Sequence, residues 1–293
     1  MPASAPRVLL VLGLLLLVLL GSGCRREPAA LEGAPAEPVE AVQALAQALH
    51  EGDLVRYARL SVPPAMYAEQ QVLWRQSLAS ATPLDPAEAE RWRRLMAELT
   101  APDAEAALWA RIEPRLQDLE QQVGPSWEVG VGMLAGFATA AIAAHPALSE
   151  AEKAHAKSLV EATRGWAAER AHFTDPARAQ AAIAVAVQTA HALQLPELEA
   201  LRTLELEAAL GKAGVAFRGG KALAAAYGID VDAALAQVQA EVIALEGDHA
   251  IVRVRYPFLG QIVDFEQPMV RIDGGWYRAD AVEAHRKAMA ATL

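Results

Sequence analysis

The hydrophobic period of this chain changes near Ile229, and that change limits the folds open to it. From residue 39 to 228, apolar residues recur at intervals of three and four, between Pro, Gly and capping residues. Beyond Ile229 they alternate, as in strands with one buried face. The sequence therefore predicts a mostly α, α+β fold. An antiparallel helical body (39–228) is followed by a three- or four-stranded antiparallel β-meander and a short terminal helix (229–293).

Capping signals mark several helix starts in the first part. Asp85-Pro86 and Asp175-Pro176 each place an acidic cap before a proline, and Ser149 to Glu152 has the spacing of a capping box. The helix that begins after Asp85 is expected to have one buried stripe, formed by Trp92, Leu95, Met96 and Leu99. Arg91, Arg93 and Arg94 are expected on the solvated side of the same helix, although they could also contact an anionic partner.

The predicted meander has hairpin turns at Glu246-Gly247-Asp248 and Asp273-Gly274-Gly275. Between them, Ile251 to Tyr256 alternates apolar and polar residues. We expect Trp276 to bury its ring against the helices and Arg253 and Arg255 to face outward.

The N-terminus has the organisation of a signal peptide. Arg7 precedes an almost continuous Leu/Val run from Val8 to Leu20, and small residues lead into Cys24. The run is shorter than the roughly 20 apolar residues that span a bilayer, so a permanent helical anchor is the less favoured interpretation. An ordinary secretory leader with an incidental cysteine is the other alternative. Residues 1–23 are thus predicted to be removed.

Leu20-Gly21-Ser22-Gly23-Cys24 resembles the lipobox of bacterial lipoproteins. The resemblance implies cleavage before Cys24, acylation of that cysteine by chains such as palmitate, and a membrane as partner. By the sorting rule of these lipoproteins, Arg25 in place of aspartate implies the outer membrane, with the body facing the periplasm, and makes the inner membrane less favoured. Residues 24–38, rich in Pro, Ala and Glu, are predicted to be a disordered tether.

The stretches GDHAIVRV (247–254) and IDGGWYRAD (272–280) resemble the C-terminal hairpins of NTF2-like and cystatin-like domains in exported proteins. The resemblance covers about 50 residues of the chain. In that family, a curved sheet wraps a helix and can form a cone-shaped pocket. The long helical region that precedes the meander here departs from the compact family pattern.

Charge and motifs exclude several function classes. The net charge of -10 disfavours a nucleic-acid partner, which needs clustered Lys and Arg in excess. The serine motif G-x-S-x-G of many hydrolases is missing. The single cysteine, Cys24, is predicted to be acylated, so no cysteine nucleophile remains. Catalysis by paired carboxylates stays open, because proximity in the fold cannot be read from this sequence.

Two E-x-x-H pairs, Glu152/His155 and Glu169/His172, suggest a di-iron site of the kind found in helical bundles. We expect both pairs on one continuous helix, where 17 residues would separate them by roughly 25 Å. They would then face different directions, so no metal or other cofactor is predicted. The uncharged segment from Val129 to Ala144 is expected to be the central buried helix rather than a membrane span.

These observations favour a non-enzymatic lipoprotein that serves as a binding or assembly component of the cell envelope, with a possible envelope protein or apolar ligand as partner. One alternative is an envelope hydrolase that uses two carboxylates. Another is a carrier of an apolar ligand, in a pocket lined by residues such as Phe258, Phe265 and Trp276.

Overall fold

A computed structural model of the chain describes residues 35–122, 126–146, 148–169 and 171–290. The predicted signal peptide, Cys24 and residues 24–34 of the predicted tether lie outside these residues. The first helix begins at Pro38, where the predicted tether ends.

The helices precede the sheet, with one exception at the C-terminus. Their bounds are α1 Pro38–Glu51, α2 Leu54–Ser61, α3 Pro64–Ser80, α4 Pro86–Leu99, α5 Ala104–Gln122, α6 Trp127–Ala144, α7 Glu150–Ala167, α8 Ala171–Thr174, α9 Pro176–Leu193, α10 Leu206–Ala226, α11 Val231–Ala236 and the terminal α12 Ala279–Ala290. A 3₁₀ helix, Leu198–Thr203, joins α9 to α10.

The strands form one antiparallel sheet in chain order, β1-β2-β3-β4. Their bounds are β1 Gln239–Glu246, β2 His249–Phe258, β3 Gln261–Ile272 and β4 Gly275–Arg278. Gly247 and Gly274 have positive φ in the first and last hairpins, as the turn signals predict. The predicted fold class, a mostly helical α+β protein with an antiparallel meander and a terminal helix, is confirmed.

The region after Ile229 holds one element that alternation did not predict. The side chain of Asp230 accepts a hydrogen bond from the Ala233 N–H at 2.8 Å and caps the short helix α11. The first strand begins only at Gln239. A six-residue helix is too short to leave a clear helical period.

The caps in the helical part form largely as predicted. Ser149 and Glu152 make both hydrogen bonds of a capping box. Asp85 and Asp175 accept hydrogen bonds from N–H groups in the first turns of α4 and α9, at 2.9 and 2.8 Å. These side chains satisfy amide groups that a helix start leaves without partners.

The stripe predicted on α4 is narrower than expected. Met96 is buried, and Trp92 is half-buried and donates from its indole N–H to the Leu195 carbonyl at 2.9 Å. Leu95 is 46% exposed, so its predicted burial is wrong. It lies about 100° around the helix from Met96, beyond the strip that the neighbouring helix covers.

The sheet packs one face on α1. Ala41 and Val42 of α1 form a core with Val252, Val254 and Trp276 of the sheet. The predicted burial of Trp276 is confirmed, because its exposed fraction is 3%.

The charged residues of β2 lie on the other face of the sheet, as predicted. Arg255 Nε lies 3.0 Å from Asp264 Oδ2 on β3, and Arg253 lies within 4 Å of Asp264 and Glu266. Burial and charge therefore follow the two-residue period of the strand.

The prediction that the segment from Val129 to Ala144 is the central buried helix is wrong. In α6, Val129, Met133, Leu134 and Phe137 are between 57% and 70% exposed. The helix packs along α7, and its half-buried residues recur mostly at intervals of three and four, along one side. Among the described residues, α6 is also the helix whose length and apolar composition would suffice to cross a membrane. Composition indicated how apolar this helix is, but not which elements lie beside it.

Candidate functional site

A pocket of about 310 Å³ lies where α1, α7 and the sheet meet. Most of its wall is apolar, with contributions from Val42, Leu45, Leu159, Leu235, Val254 and Phe265. An engineered cavity of about 150 Å³ holds a benzene molecule, so this pocket has room for roughly ten to fifteen non-hydrogen atoms. Its volume is at the lower end of the range for small-molecule sites.

The regular spacing of residues on α1 and on the strands places these side chains on the pocket wall. Val42, Leu45 and Leu49 lie on one face of α1, at intervals of three and four residues. On the sheet, Val254 and Tyr256 of β2 project from alternate positions toward α1 and α7.

Arg278, at the end of β4, forms the charged centre of the pocket wall. Its Nη1 donates to Tyr57 Oη at 2.9 Å, and its Nη2 donates to Glu152 Oε1 at 2.9 Å. Its Nε donates to Asp280 Oδ1 at 3.1 Å, and Nη2 also contacts Asp280 Oδ2. Burial alone would lower the pKa of Arg278, but the Tyr57 oxygen and the two carboxylates more than offset it, so the pKa is raised.

Both carboxylates of this cluster have several partners. Glu152 binds Arg278 through Oε1 and accepts from the Ser149 N–H through Oε2, at 2.9 Å each. Asp280 also accepts from the Ala281 N–H at 2.9 Å. Burial would raise the pKa of Asp280, but the Arg278 charge and hydrogen bonds lower it. Asp280 is therefore held as an anion, unlike the carboxylic acid that protonates a leaving group.

His155 and Tyr256 form the second polar pair of the pocket. His155 Nε2 lies 2.6 Å from Tyr256 Oη, and the imidazole stacks on Phe265 at a centroid distance of 4.1 Å. Burial, followed by the nearby Arg278 charge, lowers the pKa of His155 to about 4. Burial raises the pKa of Tyr256 to about 12. At neutral pH an uncharged imidazole and a protonated phenol share this hydrogen bond.

The expectation that both E-x-x-H pairs lie on one helix is wrong. Glu152 and His155 lie in α7, which ends at Ala167, whereas His172 belongs to α8, and Glu169 lies between the two helices. Glu152 binds Arg278, and His155 binds Tyr256. Across the described ranges, no three His, Cys, Asp or Glu side chains group as metal ligands.

The other predicted candidates are dispersed. Phe265 lines the pocket, whereas Trp276 belongs to the core between α1 and the sheet, and Phe258 lies at the end of β2, away from the pocket lining.

The arginines beside Trp92 are exposed and lie close to acidic residues of their own helix, as predicted for a solvated helix face. Arg91 lies 3.8 Å from Glu88, and Arg94 lies 3.2 Å from Glu90, which also pairs with Arg93.

Sequence reasoning missed Arg278 and Tyr57. Arg278 follows the Trp-Tyr pair of the last strand, but its partners Tyr57 and Glu152 precede it by 221 and 126 positions. The alternation that placed Arg253 outward would have placed Tyr256 inward, and this was the available signal for the His155 partner.

Comparison of the chain with family models, curated proteins and solved structures found no match. The class of protein is therefore defined by the fold and the pocket alone. It is an α+β protein in which helices and an antiparallel sheet enclose a mostly apolar pocket with a few converging polar groups.

Proposed function

We propose that this chain is a lipid-anchored envelope protein that binds a small, largely apolar ligand in the pocket between α1, α7 and the sheet. The observation that carries the proposal is the pocket itself, about 310 Å³ with an apolar wall and polar groups converging at Arg278 and His155. Small-molecule sites combine these features: apolar walls supply most of the affinity, and a few polar groups fix orientation.

The anchor and the location come from the leader. The lipobox-like segment supports acylation of Cys24, and Arg25 supports delivery to the outer membrane with the body in the periplasm. The NTF2-like resemblance of the hairpins supports a pocket between sheet and helix, and α1 packs on the sheet beside that pocket. Binding, rather than assembly alone, is the role that a preformed pocket favours.

The hydrolase alternative has less support from the geometry. Two-carboxylate hydrolysis needs one protonated acid and one free base or nucleophile. Here Glu152 and Asp280 are both bound to the same guanidinium, and the pKa of Asp280 is lowered.

Filling the pocket should weaken ligand binding. Isothermal titration calorimetry with 1-octanol should show saturable binding to the mature chain carrying Cys24→Ser, which retains every residue of the described fold. Leu159→Trp places a larger ring in the pocket wall, so we expect affinity to fall at least tenfold.

Leu95→Trp is the matched control, because Leu95 is 46% exposed on α4 and should leave affinity unchanged. Equal affinities of the Leu159→Trp variant and the parent chain would refute the pocket as the binding site.

A further inference from the structure

The polar end of the pocket carries ions of both signs. Arg278 and Glu152 both line the pocket, and Asp280 completes the cluster behind them. One guanidinium and two carboxylates leave one net negative charge. A ligand head group at this end therefore meets a cation and an anion that are already paired.

The hydrogen-bond donors of Arg278 are nearly all in use. A guanidinium has five N–H groups. Asp280 accepts from Nε and Nη2, Glu152 from Nη2, and Tyr57 from Nη1. One N–H on Nη1 is left for a ligand. A carboxylate or phosphate ligand thus cannot form the two parallel hydrogen bonds that make arginine a strong anion site.

The second polar pair adds no charge. His155 and Tyr256 are bound to each other at 2.6 Å, and burial with the Arg278 charge holds the imidazole neutral at pH 7. This pair can exchange hydrogen bonds with a hydroxyl or carbonyl group. It cannot neutralise an ion.

We propose that the ligand of this pocket is an uncharged amphiphile, with its hydrocarbon part among the apolar side chains and a hydroxyl or carbonyl head beside the Arg278–Glu152 pair. The inference rests on the proposed binding function. An anionic head meets Glu152 and the net negative charge of the cluster. A cationic head meets the Arg278 charge, and the Glu152 oxygens that could receive it are already bound to Arg278 and Ser149. Either ion would lose its hydration without gaining a free counter-ion, and that loss is costly in an apolar site.

Three ligands with the same eight-carbon chain test the inference: 1-octanol, octanoate and octylammonium, each titrated calorimetrically at pH 7.5 into the mature chain with Cys24→Ser. We expect 1-octanol to bind at least tenfold more tightly than either ion. If an ion binds as tightly as 1-octanol, the inference on charge is overturned and the pocket function stands. If none of the three binds, the proposed function itself fails.

A substitution tests the cause. Asp280→Asn removes one carboxylate, so the cluster has no net charge and Arg278 has a weaker partner. We expect octanoate to bind severalfold more tightly to this variant, so that the preference for 1-octanol over octanoate shrinks severalfold. Asp264→Asn, which changes a carboxylate paired with Arg255 on the other face of the sheet, should alter neither affinity. Unchanged octanoate affinity in a folded Asp280→Asn variant, verified by circular dichroism, would contradict the proposal.

Discussion

At the residue scale, this protein buries several ionisable groups and gives each a specific partner. Lys221, 6% exposed, donates to the Leu49 and His50 carbonyls at 3.0 and 2.6 Å and also pairs with Asp232. It thereby satisfies the His50 carbonyl at the end of α1 and gives the Leu49 carbonyl a second donor beside the Gly52 N–H. His285 is fully buried, with its Nε2 3.2 Å from Glu69 Oε2. The burial of His285 couples the fold to pH.

His285 should make the protein less stable in mild acid. Burial, followed by the Arg286 charge, lowers the pKa of His285 from 6.5 to about 4. Between these values the unfolded chain binds more protons than the folded chain, so stability falls as pH falls below 6.5. For this histidine, the free energy of unfolding should fall by about 2 kcal/mol between pH 7.5 and pH 5.

Urea unfolding of the parent chain and of His285→Leu at both pH values measures this contribution. The drop in unfolding free energy should be smaller in the variant by about that amount. His249→Gln, which changes an exposed histidine at the start of β2, is the control and should keep the parental pH dependence. A parental pH dependence in His285→Leu would exclude His285 as its source.

At the element scale, the close approach of α10 to the turn between α1 and α2 determines where α1 lies, and α1 carries one wall of the pocket. Gly52 closes α1 with φ of 68°, and its carbonyl accepts from Arg218 Nη1 at 2.9 Å. A Cβ at Gly214 of α10 would lie 2.7 Å from that carbonyl oxygen. The glycine is therefore required for this approach.

Two glycines of α10 form a matched pair for testing this contact. Gly214→Ala should lower the free energy of unfolding by about 1 to 3 kcal/mol, because the helices must separate to admit the methyl group. Gly211→Ala meets no atom within 4 Å and should raise it by up to about 1 kcal/mol through helix propensity. Thermal or urea unfolding compares the two, and equal effects would mean that the approach at Gly214 is not needed.

The secondary-structure elements were more predictable from the sequence than the packing of these elements against one another. Caps, glycine turns and the two-residue period at Val252 and Val254 depend on nearby residues, so the fold class followed from them. The exposure of α6 and the break between α7 and α8 depend on which elements pack there. The site around Arg278 depends on the same long-range packing, because its partners come from α2 and α7.

At the scale of the whole molecule, the proposed anchor and Arg278 lie near opposite ends of the chain, and the fold brings the start of α1 to the last strand. Ala41 of α1 and Trp276 of β4 belong to the same core. The protein is also acidic, with a net charge of -10, so attraction to anionic lipids cannot replace a covalent anchor.

The anchor is testable in growing cells. Metabolic labelling with an alkyne fatty acid should mark the full chain, because the apolar leader ends at the chain's single cysteine. Cys24→Ser should not be labelled, whereas Ser22→Ala, which keeps a small residue before the cysteine, should be. Equal labelling of the full chain and Cys24→Ser would contradict the lipoprotein prediction.

The Trp276 N–H donates a hydrogen bond of 3.0 Å to the Pro35 carbonyl. This hydrogen bond limits how far the pocket can lie from a membrane that holds a lipid on Cys24. It fixes the incoming chain two residues from Arg278, at the polar end of the pocket. From Cys24 to Pro35 the backbone has eleven residue steps, which span about 40 Å at most. On an acylated chain, Pro35 would therefore stay within about 40 Å of the bilayer that holds the lipid, and the polar end of the pocket, two residues beyond Trp276, within about 50 Å. For such a lipid-anchored chain, ligand exchange would be confined to a layer close to the membrane that holds the anchor, which would favour ligands that leave or enter that membrane.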